Sequence, residues 1–169
     1  AFAESFREAF ANGADSIICV TVGSKISRTY ESAVLAAEEF ADKKITIIDS
    51  GLLSMAQAYL AMAAAEAVIA GDSHEEAVKK AESLKGRTHI YGSLSTLKYL
   101  ALGGRVSNLA ASMANMLNIR PILAMRNSKL DLLEKVRTRK AAMDRLVELV
   151  ITAVGGRPIE KTCLIRVLN

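Results

Sequence analysis

The segment Gly23-Ser24-Lys25-Ile26-Ser27-Arg28-Thr29 holds the densest set of groups able to do chemistry. It leaves a β-rich run and enters a helical one, the position at which open α/β sheets bind ligands. Ser24, Ser27 and Thr29 supply hydroxyl donors, while free backbone N–H groups and the helix dipole favour an anion. Capping of the helix by Ser27 or Thr29 is the competing reading. Three hydroxyls within one short loop favour anion binding. The Gly-x4-Gly-Lys-Ser/Thr spacing of a phosphate-binding P-loop is absent.

A second polar group, Asp49-Ser50 with Ser54 following, ends another β-rich run and faces the same edge if the sheet is parallel. Asp49 is placed to orient the loop hydroxyls, and Ser50 reads most simply as the cap of the next helix. Farther on, Arg137 and Arg139 alternate, so an extended backbone would set both on one face. Their guanidinium groups suit a phosphate or a carboxylate-rich partner. No activated nucleophile emerges. Cys19 and Cys163 sit inside apolar runs that favour core packing. His74 follows a helix cap and His89 lies in a β-rich run, so neither reads as a catalytic base, and two histidines argue against a histidine metal site. Neither catalytic residues nor a metal or other cofactor are expected.

These residues need elements to position them. Phe2–Phe10, Tyr30–Asp42, Leu52–Gly71 and Ser73–Lys85 read as helices, the last opened by the capping box of Ser73 and Glu76. Ser16–Val22 and Ile45–Ile48 read as strands buried on both faces. This strand–helix alternation is the pattern of a parallel sheet. After Gly86 the style changes. His89–Ser93 reads as a strand, Thr96–Leu102 and Val106–Asn118 as helices, and Pro121–Met125 with Leu130–Val136 as a hairpin turning at Asn127-Ser128. Arg139–Val154 is helical and Thr162–Leu168 reads as a last strand. The expected architecture is a parallel-sheet α/β domain over 1–87 followed by an α+β domain over 88–169.

Composition narrows the classes. The chain has 169 residues, 51% of them apolar but only 5% aromatic, with 27 alanines and no Trp. Its two cysteines exclude a disulfide scaffold and fit a reducing compartment. The apolar stretch Leu52–Gly71 has the length of a membrane span, yet Gln57, Glu66 and its alanines mark a buried helix instead. No secretory pattern precedes it, so a cytoplasmic location is expected. The net charge of +4 is concentrated between Arg120 and Lys140. No aromatic is interleaved there, so nucleic acid is not the expected partner.

The ordered set GSKISRTYESA (Gly23–Ala33), ITIIDSGLLSMAQA (Ile45–Ala58), LKYLALGGRVS (Leu97–Ser107), LNIRPIL (Leu117–Leu123) and KVRTRKAA (Lys135–Ala142) closely resembles the bacterial DegV family of fatty-acid-binding proteins. The resemblance implies a two-domain fold with one long-chain fatty acid held between the domains. It also implies a carrier and not an enzyme, which presents the acid to a separate fatty-acid kinase. The family's carboxylate-binding serine falls on Ser27, with Ser24 and Thr29 nearby. Leu94, Leu109, Met113, Met116 and Ile122 become candidates for the acyl wall, and Arg137 and Arg139 for docking the kinase. A phosphoryl-transfer or phosphate-ester enzyme using Gly23–Thr29 is the alternative function.

The sequence departs from the family pattern in two ways. The usual Gly after the loop serine is Arg28, and two later glycines are Ala56 and Ala58, which alters or crowds the head-group edge. The family's opening strand and its closing histidine–glycine loop have no counterpart. The chain is therefore expected to be the middle of a longer protein, one that is a monomer at full length.

Overall fold

A computed structural model describes residues 1–105 and 119–167. Two compact units emerge, residues 1–88 together with the turn 126–129, and residues 89–125 together with 130–169.

In the first unit, helix α1 (Phe2–Ala11) leads into strand β1 (Ser16–Thr21). Helix α2 (Thr29–Ala37) and a 3-10 turn (Glu38–Phe40) lead to strand β2 (Lys44–Asp49). Three phenylalanines recur at helical spacing on α1 and a fourth is Phe40; their rings meet at tilted angles, with Phe6 against Phe40 edge to face and Phe6 buried. Strands β1 and β2 pair in parallel, from Ser16 opposite Lys44 to Thr21 opposite Asp49. That register brings the two polar strand ends side by side. The expectation of strands buried on both faces is corrected, because β1 is only half-buried along most of its length. Among the described residues it has one strand neighbour, so no sheet continues beside it.

Helix α3 (Ser54–Ile69) buries Ala56, Leu60, Ala64 and Ala67, one face of the alanine-rich stretch. Small side chains there let α3 lie close against helix α4 (His74–Ser83). Gln57, the polar residue in that stretch, donates through Nε2 to the Val20 carbonyl at 3.1 Å, filling an acceptor on the open edge of β1. The opposite face of α3 is exposed, with Ile69 at 85%. Among the described residues no helix is long and apolar enough to cross a membrane. The capping box of Ser73 and Glu76 forms as expected at the start of α4.

The second unit holds strand β3 (Tyr91–Ser93), helix α5 (Lys98–Leu102), strands β4 (Arg120–Arg126) and β5 (Lys129–Val136) apart from their turn ends Arg126 and Lys129, and helix α6 (Arg139–Val154). The strands form one sheet in the order β3-β4-β5, with β3 antiparallel to β4. Leu97 and Leu123 form its core, with Leu94, Leu100, Ala101, Leu130 and Leu132 against them. A three-toothed contact joins β5 to α6, since Arg145 reaches Glu134 through Nε at 2.9 and 2.8 Å and through Nη2 at 2.6 Å. Gly155, left-handed at φ 58°, stops α6.

Two sequence expectations fail in this unit. Residues 161–167 form no strand and are exposed, so the strand predicted at Thr162–Leu168 is absent over the described part. β-propensity alone does not make a strand without a neighbouring ladder to bond. Cys163 is consequently exposed and not in a core. The expected helix over 106–118 lies outside the described residues.

Candidate functional site

The loop between β1 and α2 is built from its first residue. Gly23 packs directly on the backbone of the second strand's loop, and a Cβ there would come within 3.0 Å of the Gly51 carbonyl carbon. Only glycine permits this approach. The Gly23 N–H donates to the Leu52 carbonyl at 2.8 Å, while its own carbonyl accepts from Ile26 and Ser27 at 2.9 and 3.1 Å.

Asp49 secures the next residue. Its Oδ1 accepts from the N–H groups of Ser24 and Gly51, each at 3.0 Å, and its Oδ2 accepts from the Ser24 hydroxyl at 2.6 Å. Partial burial pushes the Asp49 carboxyl up. The bonds from the Ser24 hydroxyl and from the Gly51 and Ser24 N–H groups, with the Lys85 charge, outweigh it and hold the carboxyl below its ordinary value. The expected role of Asp49 in orienting a loop hydroxyl is therefore seen at Ser24.

The backbone expectation is corrected. The N–H groups of Gly23, Ser24, Ile26, Ser27 and Thr29 all donate within the protein, so most of the predicted cradle is already used. The Gly23 carbonyl takes those of Ile26 and Ser27, and the Leu52 carbonyl, Asp49 and the Ser27 hydroxyl take the other three. Helix capping is not the role of the hydroxyls either, since Arg28 is the cap residue of α2 and no side chain caps it. Ser50 does not cap α3. It is buried and bonds the Leu52 N–H at 3.0 Å and the Leu52 carbonyl at 3.2 Å, which closes its own turn.

What remains available is a hydroxyl pair. Ser27 Oγ and Thr29 Oγ1 lie 2.6 Å apart, and Ser27 Oγ also accepts from the Thr29 N–H at 3.3 Å. Two hydroxyls share one proton between them, so the second proton stays free to donate outward. When Thr29 is the inner donor, both acceptor positions of Ser27 are filled and its remaining capacity is purely that of a donor. Such a pair complements an acceptor such as a carboxylate oxygen. Lys25 and Arg28 stand exposed on either side of Ser27 in sequence.

Other candidates are more scattered. Ile122 is fully buried in β4, and Leu94 packs on Leu97 and Leu123 one residue past the pairing of Ser93 with Ile122. Leu109, Met113 and Met116 lie outside the described residues. A cleft of about 300 Å³ in the second unit is lined by Thr96, Leu97, Lys98, Ala101, Leu102, Ile119 and Pro121. Sequence reasoning missed it, because Leu97 and Ala101 read simply as helix interior. Arg137 and Arg139 are both exposed. β5 ends at Val136 and Arg139 is already the first residue of α6, so the alternation expected to put them on one extended face does not apply. Among the described residues no three His, Cys, Asp or Glu side chains gather as metal ligands.

Comparison with known proteins places these features in a family. The model described as an uncharacterised protein of the DegV family matches residues 1–167. A DegV domain-containing protein of Streptomyces coelicolor is 36% identical over 159 residues, 94% of this chain and 56% of its own length. One from Listeria monocytogenes is 31% identical over 164 residues, 97% of this chain and 58% of its own length. The chain thus spans little more than half the length of these relatives. Among solved structures, a fatty-acid-binding DegV family protein from Thermus thermophilus superposes with a TM-score of 0.83 at 29% identity, covering 92% of this chain and 55% of that one. DegV of Bacillus subtilis, also a fatty-acid-binding protein, gives 0.78 at 31% identity, covering 91% and 55%. The mixed α/β fold is shared with them, and the chain belongs to the DegV family.

Proposed function

We propose that the chain is part of a carrier that binds a long-chain fatty acid and presents its carboxylate to a fatty-acid kinase. The observation that carries this reading is the Ser27–Thr29 pair, 2.6 Å apart with one proton left to donate, in a chain whose family relatives bind fatty acids. In this reading Ser27 bonds the carboxylate, Thr29 orients Ser27, and Ser24 acts through Asp49 to hold the loop. Leu94, Leu109, Met113, Met116 and Ile122 contribute to the acyl wall, and Arg137 and Arg139 meet the kinase. Residues 1–87 and 88–169 are then parts of two domains of a cytoplasmic protein that is a monomer at full length. Asp49, the carboxylate a phosphoryl-transfer site would draw on, is already committed to three donors.

Native mass spectrometry of the purified full chain tests the ligand class, with an added mass of one fatty acid expected. Titration with dansyl-undecanoate tests the site. Ser27→Ala should bind roughly tenfold or more weakly, with the fold intact, because a hydrogen bond to a charged group contributes about 1.5–3 kcal/mol. An unchanged dissociation constant removes Ser27 from the site.

A further inference from the structure

Three features meet beside the Gly23–Thr29 loop. The Lys25 ammonium donates to the Asn127 carbonyl at 3.1 Å, across 102 residues of sequence. Asn127 and Ser128, the two central residues of the β4–β5 turn, are both left-handed, with φ of 51° and 62°. Ser128 sits over Gly51 so closely that a Cβ on Gly51 would meet its Oγ at 2.5 Å.

The geometry makes the turn a seat for the loop. In a two-residue reversal the carbonyl of the first central residue has no partner inside the turn, and here Lys25 satisfies it. Gly51, under Ser128, donates its N–H to Asp49, whose other oxygen holds the Ser24 hydroxyl. The turn therefore touches the loop twice, directly at Lys25 and through Gly51, Asp49 and Ser24. Both contacts lie within two or three residues of the hydroxyl pair. Left-handed non-glycine residues are costly and persist where the surrounding structure holds them. Asn127, Ser128 and Gly51 adopt that conformation together at this one meeting point.

We infer that Lys25 is a positioning residue, whose tie to the Asn127 carbonyl seats the Ser27–Thr29 pair and so sets how long a carboxylate is held, without Lys25 touching the ligand. The inference rests on the carboxylate reading of Ser27. It differs from a steering role in its kinetics. A charge that attracts the anion acts on association, whereas a seat that holds the donor in place acts on release.

Stopped-flow binding of dansyl-undecanoate to the full chain tests it. Lys25→Met should release the probe roughly three to ten times faster with association unchanged, the size of one hydrogen bond. Lys25→Arg, which keeps the donor, should restore most of the slow release. The melting temperature without ligand should stay at the wild-type value. Slower association with unchanged release would make Lys25 a steering charge and overturn the inference, as would two unchanged rates. Ser27→Ala, run in parallel, separates the failures. Weaker binding there with an unaffected Lys25→Met overturns the inference alone, and wild-type binding by Ser27→Ala overturns the carboxylate reading and the inference with it.

Discussion

Asp49 Oδ2 lies 2.6 Å from the Ser24 hydroxyl, so the end of β2 grips the loop that leaves β1. The parallel register makes the grip possible, because Thr21 and Asp49 stand opposite one another at the last pair of the ladder. Loop geometry at the site is thus set by a neighbouring strand as much as by the loop's own sequence.

Removal of the carboxylate should expose that dependence. Asp49→Ala leaves the Ser24 and Gly51 N–H groups without their acceptor, and the half-buried location lets water replace it in part. The loss should be about 1 kcal/mol in urea unfolding. Asp49→Asn should cost less, since its amide oxygen still accepts both N–H bonds and its amide nitrogen donates to the Ser24 oxygen. Because the Asp49 carboxyl is held below its ordinary value in the folded protein, its stabilisation is complete above the ordinary carboxylate range. It is lost as pH falls through the depressed folded value. An NMR titration of the Asp49 carboxyl should place its midpoint below about 3.9.

Gly51 answers to two constraints at once. At φ 64° any side chain is strained, and a Cβ would also collide with the Ser128 hydroxyl at 2.5 Å. Gly51→Ala should destabilise by about 1–3 kcal/mol. Adding Ser128→Ala, which removes the colliding Oγ and leaves residue 128 a left-handed non-glycine, should recover only the collision and leave the backbone strain at residue 51. Melting temperatures of the single and double variants measure the split, and full recovery would mean that the backbone strain is negligible.

The same residues show what was readable in advance. The ends of β1 and β2 were legible because polar runs follow β-rich ones, and a link from Asp49 to a loop hydroxyl followed from parallel pairing. The fate of the loop N–H groups was not legible, since a polar turn that folds onto the Gly23 carbonyl looks like one that stays open. Nor was the seat at Asn127 and Ser128, whose contacts with Lys25 and Gly51 join segments far apart in sequence. The Thr162–Leu168 strand misled for the opposite reason: its residues favour a strand, but no ladder is there to receive it among the described residues. Arg137 and Arg139 misled because alternation holds only while the chain stays extended, and a helix begins between them.

Ser73 offers a check on local structure away from the site. Its hydroxyl accepts from the Glu76 N–H at 3.3 Å while the Glu76 carboxylate accepts from the Ser73 N–H at 2.8 Å. Ser73→Ala should lower stability by about 1 kcal/mol, as losing an N-cap does. Probe binding should be unaffected, because α4 carries none of the loop residues.

His74 gives the first unit a pH dependence of its own. Its ring bridges the starts of the two strands, with Nδ1 2.9 Å from the Ser16 hydroxyl and Nε2 2.7 Å from the Thr46 hydroxyl. Partial burial, then the Lys44 ammonium, disfavour the charged ring, and the Glu75 carboxylate opposes them only in part, so the His74 pKa lies below its ordinary value. A histidine depressed on folding binds its proton more readily in the unfolded chain. Its stabilisation is therefore complete above about pH 6.5, the unperturbed value, and is lost as pH falls through the lower folded value. His74→Gln keeps hydrogen-bonding groups near both hydroxyls but does not titrate. Urea midpoints measured from pH 8 down to pH 5 should fall more steeply for the wild type than for His74→Gln. Parallel curves would show that the ring's protonation is not coupled to folding.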